Sequence, residues 1–502
     1  MEFHTLFLLH LLLVLSLLLF MKKKRKNAKN LPPSPPKLPI IGNLHQLGEL
    51  SHQSLFKLSK KYGPVMLLHL AGIPTVILSS AEAAKTALKV HDLNCCSRPS
   101  SAGPRRLTYN FQDISFAPYG DYWRQMRKIC VLELFSTKRV QSYRSIREEE
   151  VESLMDFISE SSISSTPVNL TEKLYALTAS IILKLAFGKS FRGSNFDNHR
   201  FHEVIQESEA VLGSYFASEC VPYVGWIIDR ITGLHQRLEG VFKELDNFFQ
   251  QVIDDHQSSE RKKQDQDDII DVLLKTVKEQ SGFGTAMLSE VNIKAVLLDV
   301  FLAGVETSAT TMIWAMAELA KKPELMKKAQ DEVRNAIGDK GKVSESDIDQ
   351  LQYLKMIVKE TLRLHPPAPL LLPRETMSYF KINGYDIFPK VQVQVNVWGI
   401  GRDPEYWENP DEFVPERFAD DSIDYRGQDF EFLPFGSGRR ICPGMYMATT
   451  TMELGLANLL CRFDWRLPDG IKEEDINMEE KAGLSLTTSK KSDLQLVPVK
   501  VL

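Results

Sequence analysis

The alternation of apolar and polar positions divides the chain into three unequal parts. From Phe3 to Met21 the residues are almost all Leu, Phe and Val, interrupted by His4, Thr5, His10 and Ser16, a run just long enough to span a bilayer. Lys22, Lys23, Lys24, Arg25 and Lys26 follow at once and only Glu2 precedes it. That asymmetry predicts an uncleaved, single-pass N-terminal transmembrane helix over 1–21 with everything after it in the cytosol. A cleaved signal peptide would carry its basic residues before a shorter apolar core and a small-residue site after it, and neither is present. Residues 22–39 read as a basic and proline-rich linker, because Leu31–Pro39 (LPPSPPKLP) holds five prolines in nine residues and is therefore stiff, extended and non-helical. The remainder, 40–502, is a folded body.

Within that body most periodic segments have helical spacing. Val65 to Leu70 and Thr75 to Ser79 are the exception, two apolar β-branched runs around Gly72 and Pro74 that predict a small hairpin. Ser97 to Tyr119 carries several Gly, Pro and Ser residues without an apolar period and reads as a long loop. Trp123 and Arg127 follow at i and i+4 on a predicted helix, so they share a face. From about Val140 to Leu288 the chain is helical bulk, broken by a charged, solvated stretch from Asp254 to Asp268. Ser289 to Lys322 is one unusually long helical pattern stopped by Pro323, about 50 Å at the usual rise. A helix starts near Leu351 and stops at Pro366, and an apolar run after Pro443 predicts another. The fold class is thus mainly α with a small β-region.

Composition narrows the class without changing this picture. The chain has 502 residues, 43% hydrophobic and 25% charged, as an ordinary globular enzyme with ample core does. Net charge is −4, which gives no reason to expect a nucleic-acid partner. Six cysteines show no paired spacing, so neither a disulfide scaffold nor a zinc site is indicated and a reducing compartment fits. Asn169-Leu170-Thr171 is a glycosylation sequon that stays bare under the cytosolic topology.

Candidate chemistry concentrates in Phe435–Gly444, FGSGRRICPG. Gly436, Gly438 and Gly444 permit positive φ or close backbone approach and clear space for a flat cofactor beside Cys442. With a helix beginning just after Pro443, unpaired amides and the helix dipole would favour the Cys442 thiolate, the form that ligates iron. Arg439 and Arg440 add positive charge, and a guanidinium can grip a carboxylate in bidentate fashion. At the centre of the long helix, Ala303-Gly304-Val305-Glu306-Thr307-Ser308 sets small residues, then an acid and an alcohol, in an apolar run, where burying them unpaired is costly. Glu360 and Arg363 are spaced to pair on one helix.

The spacing F-x-x-G-x-R-x-C-x-G at Phe435, Gly438, Arg440, Cys442 and Gly444 resembles the cytochrome P450 family, and the other motifs extend the resemblance over nearly the whole chain after the anchor. The resemblance implies the cytochrome P450 fold, with haem b (iron protoporphyrin IX) between the long helix and the cysteine loop and Cys442 as its iron ligand. W-x-x-x-R matches the haem-propionate helix, which carries that role onto Trp123 and Arg127; Arg374, in LLLPRET, lies where the family often places a further propionate ligand, and Phe435 and Arg440 belong to the cofactor loop. Glu306 and Thr307 occupy the acid and alcohol positions of the oxygen-activation motif and imply proton delivery to dioxygen. Glu360 and Arg363, with Arg417 of Pro415-Glu416-Arg417-Phe418, imply a buried ion-pair triad behind the haem. Implied partners are NADPH-cytochrome P450 reductase, through which NADPH supplies electrons, O2 as cosubstrate, cytochrome b5, and the endoplasmic reticulum membrane.

The implied activity is insertion of one oxygen atom into a hydrophobic small molecule, and the anchor, hinge and cysteine loop look most like plant microsomal members of specialised metabolism. Ser97–Phe116, Leu297–Val305, Ala368–Leu372 and Ala482–Leu486 are expected to contact substrate. Two other classes stand beside it: a same-fold enzyme that rearranges or dehydrates without O2, against which the intact acid and alcohol argue, and a non-catalytic membrane haem protein, which would be expected to offer two axial ligands.

Overall fold

The computed structural model describes residues 30–501 apart from 189–197, 222, 260–266, 282–287, 421 and 484; the expected anchor over 1–21 and the basic half of the linker lie outside the described residues. The expected hairpin forms. Strand β1 (Val65–Leu70) pairs antiparallel with β2 (Ile73–Leu78), Val65 opposite Leu78 and Leu70 opposite Ile73. Ala71 and Gly72 turn the corner at φ 50° and 82°, the doubly left-handed geometry that suits the twist of a two-residue hairpin. Two strands that the sequence pattern did not reveal complete this sheet: β3 (Arg374–Glu375) and β4 (Gln392–Val395). The order is β1-β2-β4-β3, with β2 and β4 parallel. β3 is only two residues long, too short for alternation to show in sequence.

Helices make up most of the rest, and those that build the site are numbered in chain order: α1 (Asp121–Ile129), α2 (Leu170–Phe187), α3 (Asn198–Leu212), α4 (Glu290–Lys321), α5 (Gln352–Leu364) and α6 (Met445–Arg462). The 32-residue α4 opens on a capping box between Ser289 and Asn292, which satisfies two otherwise orphaned amides. It is long and apolar enough to cross a membrane, but its apolar core is packed inside the protein. Its end is set by Lys322, after which Pro323 starts the next helix (Pro323–Ile337) in its first turn, where a missing N–H costs nothing. Gly304 lets α2 come close: a Cβ there would sit 2.6 Å from Ile182 Cδ1. One buried apolar cluster, including Leu177, Ile182, Phe301, Met312, Leu362 and Leu456, joins α2, α4, α5 and α6, and a second packs beneath the sheet.

The sequon residue Asn169 has a structural task. Its side-chain oxygen accepts from the Glu172 amide at 3.1 Å as the N-cap of α2, while its Nδ2 donates to Asp493 at 2.7 Å. The stretch Ser97–Tyr119 departs from the loop expectation, because Ala102–Leu107 is helical. Its Gly103 is used for proximity, with an added Cβ 3.0 Å from the Val211 carbonyl on α3. After it the chain turns through Tyr109, Asn110 and Phe111, all at positive φ. It is then tied to α4 by the Ile114 amide donating to Asp299 Oδ2 at 2.8 Å.

Candidate active site

The cysteine loop, α4, α1 and the chain around 98–116 and 367–374 line one cavity of about 290 Å³. Ile181, Ile182, Val296, Val300, Leu302 and Leu372 give it apolar walls.

Cys442 opens onto this cavity, its amide donating to the Phe435 carbonyl at 3.0 Å. Gly436 and Gly438 take φ of 71° and 69°. Gly438 is needed twice over, since a Cβ would lie 2.5 Å from the Leu88 carbonyl and 2.7 Å from Asp92 Oδ1. Gly444 departs from expectation: it caps α6 at φ −87°, and the nearest neighbour of an added Cβ would be Phe135 at 3.9 Å. Part of the Cys442 surface faces the cavity but is far from bulk water, and burial pushes the thiol up, opposed by the Gly444 amide and the Arg127 charge. The Gly444 amide and the Arg127 charge act in the direction the sequence pattern gives, against the burial. Because α6 begins only at Met445, the dipole is a turn away and falls off steeply. Arg439 is spent on Asp92 at 2.8 Å. A cation facing the sulfur would deprotonate it.

Four guanidiniums line the same cavity: Arg98, Arg127, Arg374 and Arg440. Arg440 spreads over three carbonyls, Cys96 at 2.8 Å, Ile114 at 3.2 Å and Ala117 at 2.6 Å, and stacks on Trp123 at 4.1 Å. Trp123 Nε1 donates to the Ile114 carbonyl at 2.9 Å, so the indole positions Arg440 and the loop. Arg127 donates to the Ile441 carbonyl beside the cysteine, and Arg374 to Asp92 and the Ser437 carbonyl, both at 2.7 Å. Arg98 was missed by sequence reasoning; it holds Ser115, Leu372 and Pro373 carbonyls at 2.7 to 2.8 Å. Burial first, and then mutual repulsion, depresses Arg98 well below the usual guanidinium range and Arg440 to about 9. Since a guanidinium stays charged in a protein, this is a destabilisation that a buried anion would relieve. A dianionic porphyrin fits that demand, and Cys442, a soft sulfur ligand on the opposite end of the chemistry, fits its iron.

Glu306 and Thr307 are neighbours in sequence but lie on different sides of α4. Thr307 faces the cavity and its hydroxyl donates back to the Ala303 carbonyl at 2.6 Å. Glu306 is 3% exposed and points into a separate polar cluster, accepting from Tyr175 at 3.2 Å and meeting His202 Nε2 at 3.2 Å. Tyr175 also bonds Thr310 at 3.0 Å. Asp299, Ala303 and Thr307 follow at i, i+4 and i+8 and line one face; that spacing is the signal that could have brought Asp299 into the site from sequence. Asp299 shares its surroundings with Asp113, whose carboxyl burial and the Asp299 charge hold well above the carboxylate range; Asp299 itself is raised to about 6 by burial.

Glu360, Arg363 and Arg417 meet behind the cysteine loop, without lining the cavity. Arg363 Nε and Nη2 grip Glu360 at 2.6 and 2.7 Å, and Arg417 Nε reaches it at 3.3 Å. Arg363 also donates to the Gly401, Pro410 and Glu412 carbonyls at 2.5, 2.7 and 2.9 Å. The group ties α5 to the chain leading into the cysteine loop.

A cysteine sulfur, a long helix and four guanidiniums lining one cavity are the makings of a haem-thiolate site. Comparison with known proteins agrees: a family model described as cytochrome P450 matches residues 32–495, and the chain belongs to that family. It is 57% identical over 463 residues to cytochrome P450 71B37 of Arabidopsis thaliana, covering 92% of each chain. It is also 56% identical to cytochrome P450 71B34 of the same plant, again over 92% of each. A solved zebra fish cytochrome P450 with abiraterone superposes with a TM-score of 0.74 at 23% identity, covering 90% of this chain and 100% of that one, which supports the fold. The protein is a cytochrome P450 monooxygenase, its cofactor haem and its cosubstrate O2.

Proposed function

We propose that this chain is a membrane-anchored monooxygenase of plant specialised metabolism that takes electrons from NADPH through a flavoprotein reductase and oxidises a hydrophobic small molecule, a terpenoid, alkaloid, phenylpropanoid or aldoxime. The observation that carries it is the sharing of one apolar cavity by Cys442, Thr307 and the guanidiniums. Cys442 would hold the haem iron; Arg98, Arg127, Arg374 and Arg440 would hold its carboxylates. Bound haem supplies the oxygen chemistry, one atom of O2 entering the substrate and the other leaving as water. The protein's share is positional. Apolar walls exclude water and orient the substrate, Thr307 Oγ1 offers a proton-relaying hydroxyl inside the cavity, and Glu306, held by Tyr175 and His202 outside it, exchanges protons with Thr307 through side-chain rotation or a bridging water.

An endoplasmic reticulum location, with the catalytic body in the cytosol and cytochrome b5 as a further partner, rests on the N-terminal sequence pattern. Exposed apolar side chains support membrane contact: Tyr223, Trp226 and Ile231 are 94%, 52% and 81% exposed, and Ile40 near the linker 74%, and such clusters mark interaction surfaces. The direct test is the difference spectrum of the reduced, carbon-monoxide-bound protein beside Cys442→Ala. A red-shifted Soret band lost in the variant supports the reading; a well-folded wild type without that band sinks it.

A further inference from the structure

Resting on the haem-monooxygenase reading above, we propose that Glu209 is the polar anchor of the substrate cavity and selects molecules that present an acceptor oxygen, a ketone, ether or alcohol, over the corresponding hydrocarbon or amine. Glu209, on α3, lines the same cavity and is 3% exposed. Two hydroxyls from the C-terminal turn converge on one of its oxygens, Ser485 Oγ donating to Oε2 at 2.8 Å and Thr487 Oγ1 donating to the same atom. Oε1 makes no hydrogen bond among the described residues. Leu486 and Thr487 line the cavity beside it, so the anchor bridges two separate parts of its wall.

The protonation state decides what it can hold. Burial and then the charge of Glu306 push Glu209 up to about 8, against the opposing pull of the Ser485 and Thr487 hydroxyls and the Thr487 amide. At neutral pH the carboxyl is therefore mostly protonated. With Oε2 accepting two hydroxyl bonds, it acts as the carbonyl oxygen and the proton resides on Oε1. A buried O–H without an acceptor is costly, and a ligand oxygen removes that cost. An ammonium would need the ionised carboxylate, the minor form at neutral pH; the other charged groups nearby are Glu306 on α4, held by Tyr175 and His202, and the cavity's four guanidiniums, which the haem carboxylates would occupy. The other lining carboxyl, Asp299, is engaged by the Ile114 amide at 2.8 Å.

The test uses the haem-loaded full chain and matched ligand sets on one skeleton, tetralin, 1-tetralone and 1-aminotetralin, with equivalent sets of terpene size, titrated by the Soret shift and by calorimetry. Wild type is expected to bind the ketone about three- to tenfold more tightly than the hydrocarbon, the worth of one net hydrogen bond. Glu209→Leu should bring that ratio to about one. Glu209→Gln, which keeps a donor, should retain it. The wild-type preference should fade as pH rises through about 8, and that of Glu209→Gln should not. A preference unchanged in Glu209→Leu, a preference for the amine, or no preference for the oxygenated member in any set overturns the proposal. The carbon-monoxide spectrum of each variant separates the two levels: absence of the thiolate band in wild type defeats the haem reading, whereas an intact band with an unmoved ratio defeats only the anchor.

Discussion

Glu360→Gln isolates the ion-pair group behind the cysteine loop and allows its cost to be worked out from contacts. The Glu360 carboxylate accepts from Arg363 Nε and Nη2, from the Val414 amide at 2.8 Å and from Arg417 Nε, with neither Glu360 nor Arg363 appreciably exposed. The amide keeps one acceptor oxygen and turns an N–H₂ group towards guanidinium donors. Arg363 retains three carbonyls but loses its counter-charge, and breaking a buried pair from one side costs about 3–5 kcal/mol. With an unfolding entropy of about 2.1 cal/mol/K per residue, a chain of 502 residues gives roughly 1 kcal/mol/K, so the melting temperature should fall by about 3–5 °C. Arg417→Met is the internal control: Arg417 makes one long contact to Glu360 and its side chain is 11% exposed, so the loss should be nearer 1 kcal/mol. Circular dichroism melts and urea titrations of haem-loaded protein, with the thiolate band monitored in parallel, provide the readout. A Glu360→Gln loss below about 1 kcal/mol, or equal losses in the two variants, would refute the view that this group is a charge-paired tie.

Other outcomes follow from the same contacts. Gly438→Ala should abolish stable haem incorporation, because its Cβ meets Leu88 and Asp92 at positive φ, while Gly444→Ala, with nothing nearer than 3.9 Å, should load normally; haem content per polypeptide decides between them. Burial pushes Asp299 up to about 6, above its unfolded value, so its contribution is present below about pH 4 and is lost as pH rises through 6. Asp299→Asn should flatten the stability profile in that window, measured by urea titration, and an unchanged slope counts against the burial-raised Asp299 carboxyl. Asn169→Ala should cost about 1 kcal/mol through loss of the α2 cap, seen in the same titrations. Thr307→Ala should divert reducing equivalents to peroxide, measured as peroxide released per NADPH consumed, and unchanged coupling would remove the hydroxyl from the proton path.

What could be read in the sequence were features whose physics is local. The long apolar period of α4, the hairpin around Gly72, the i, i+3 pair of Glu360 and Arg363 and the glycine loop around Cys442 each announce themselves in a short stretch of sequence. What could not be read depends on partners far along the chain. Arg98 acts through Leu372 and Pro373, Glu209 through Ser485 and Thr487, and β3 exists only because β4 lies beside it. Gly103 lies in the stretch whose Gly, Pro and Ser content reads as a loop, yet it serves the approach of a short helix to α3. The resemblance pairs Glu306 with Thr307, but successive residues on a helix are about 100° apart, and the contacts of the acid with Tyr175 and His202 lie beyond what the motif shows.

The guanidinium ring carries a consequence with opposite signs in the two forms of the protein. Arg127 makes one bond, to the Ile441 carbonyl, and burial depresses it below the usual guanidinium range; before haem binds, its charge is one of four that repel across the cavity. Removing it should therefore cost the haem-free chain little and relieve repulsion. With an anionic cofactor in place the same charge is paired, and losing it leaves a carboxylate without its partner. Arg127→Met should accordingly melt at or above wild type when haem-free, and lower than wild type when loaded. Transfer of its haem to an acceptor globin should be faster by about tenfold for each 1.4 kcal/mol of lost pairing. Ligands that bind only the folded state stabilise it by mass action, so the gap between loaded and haem-free melts should shrink in the variant. If Arg127→Met destabilises both forms equally, the side chain is a scaffold brace for the Ile441 turn and its charge has no part in holding the cofactor.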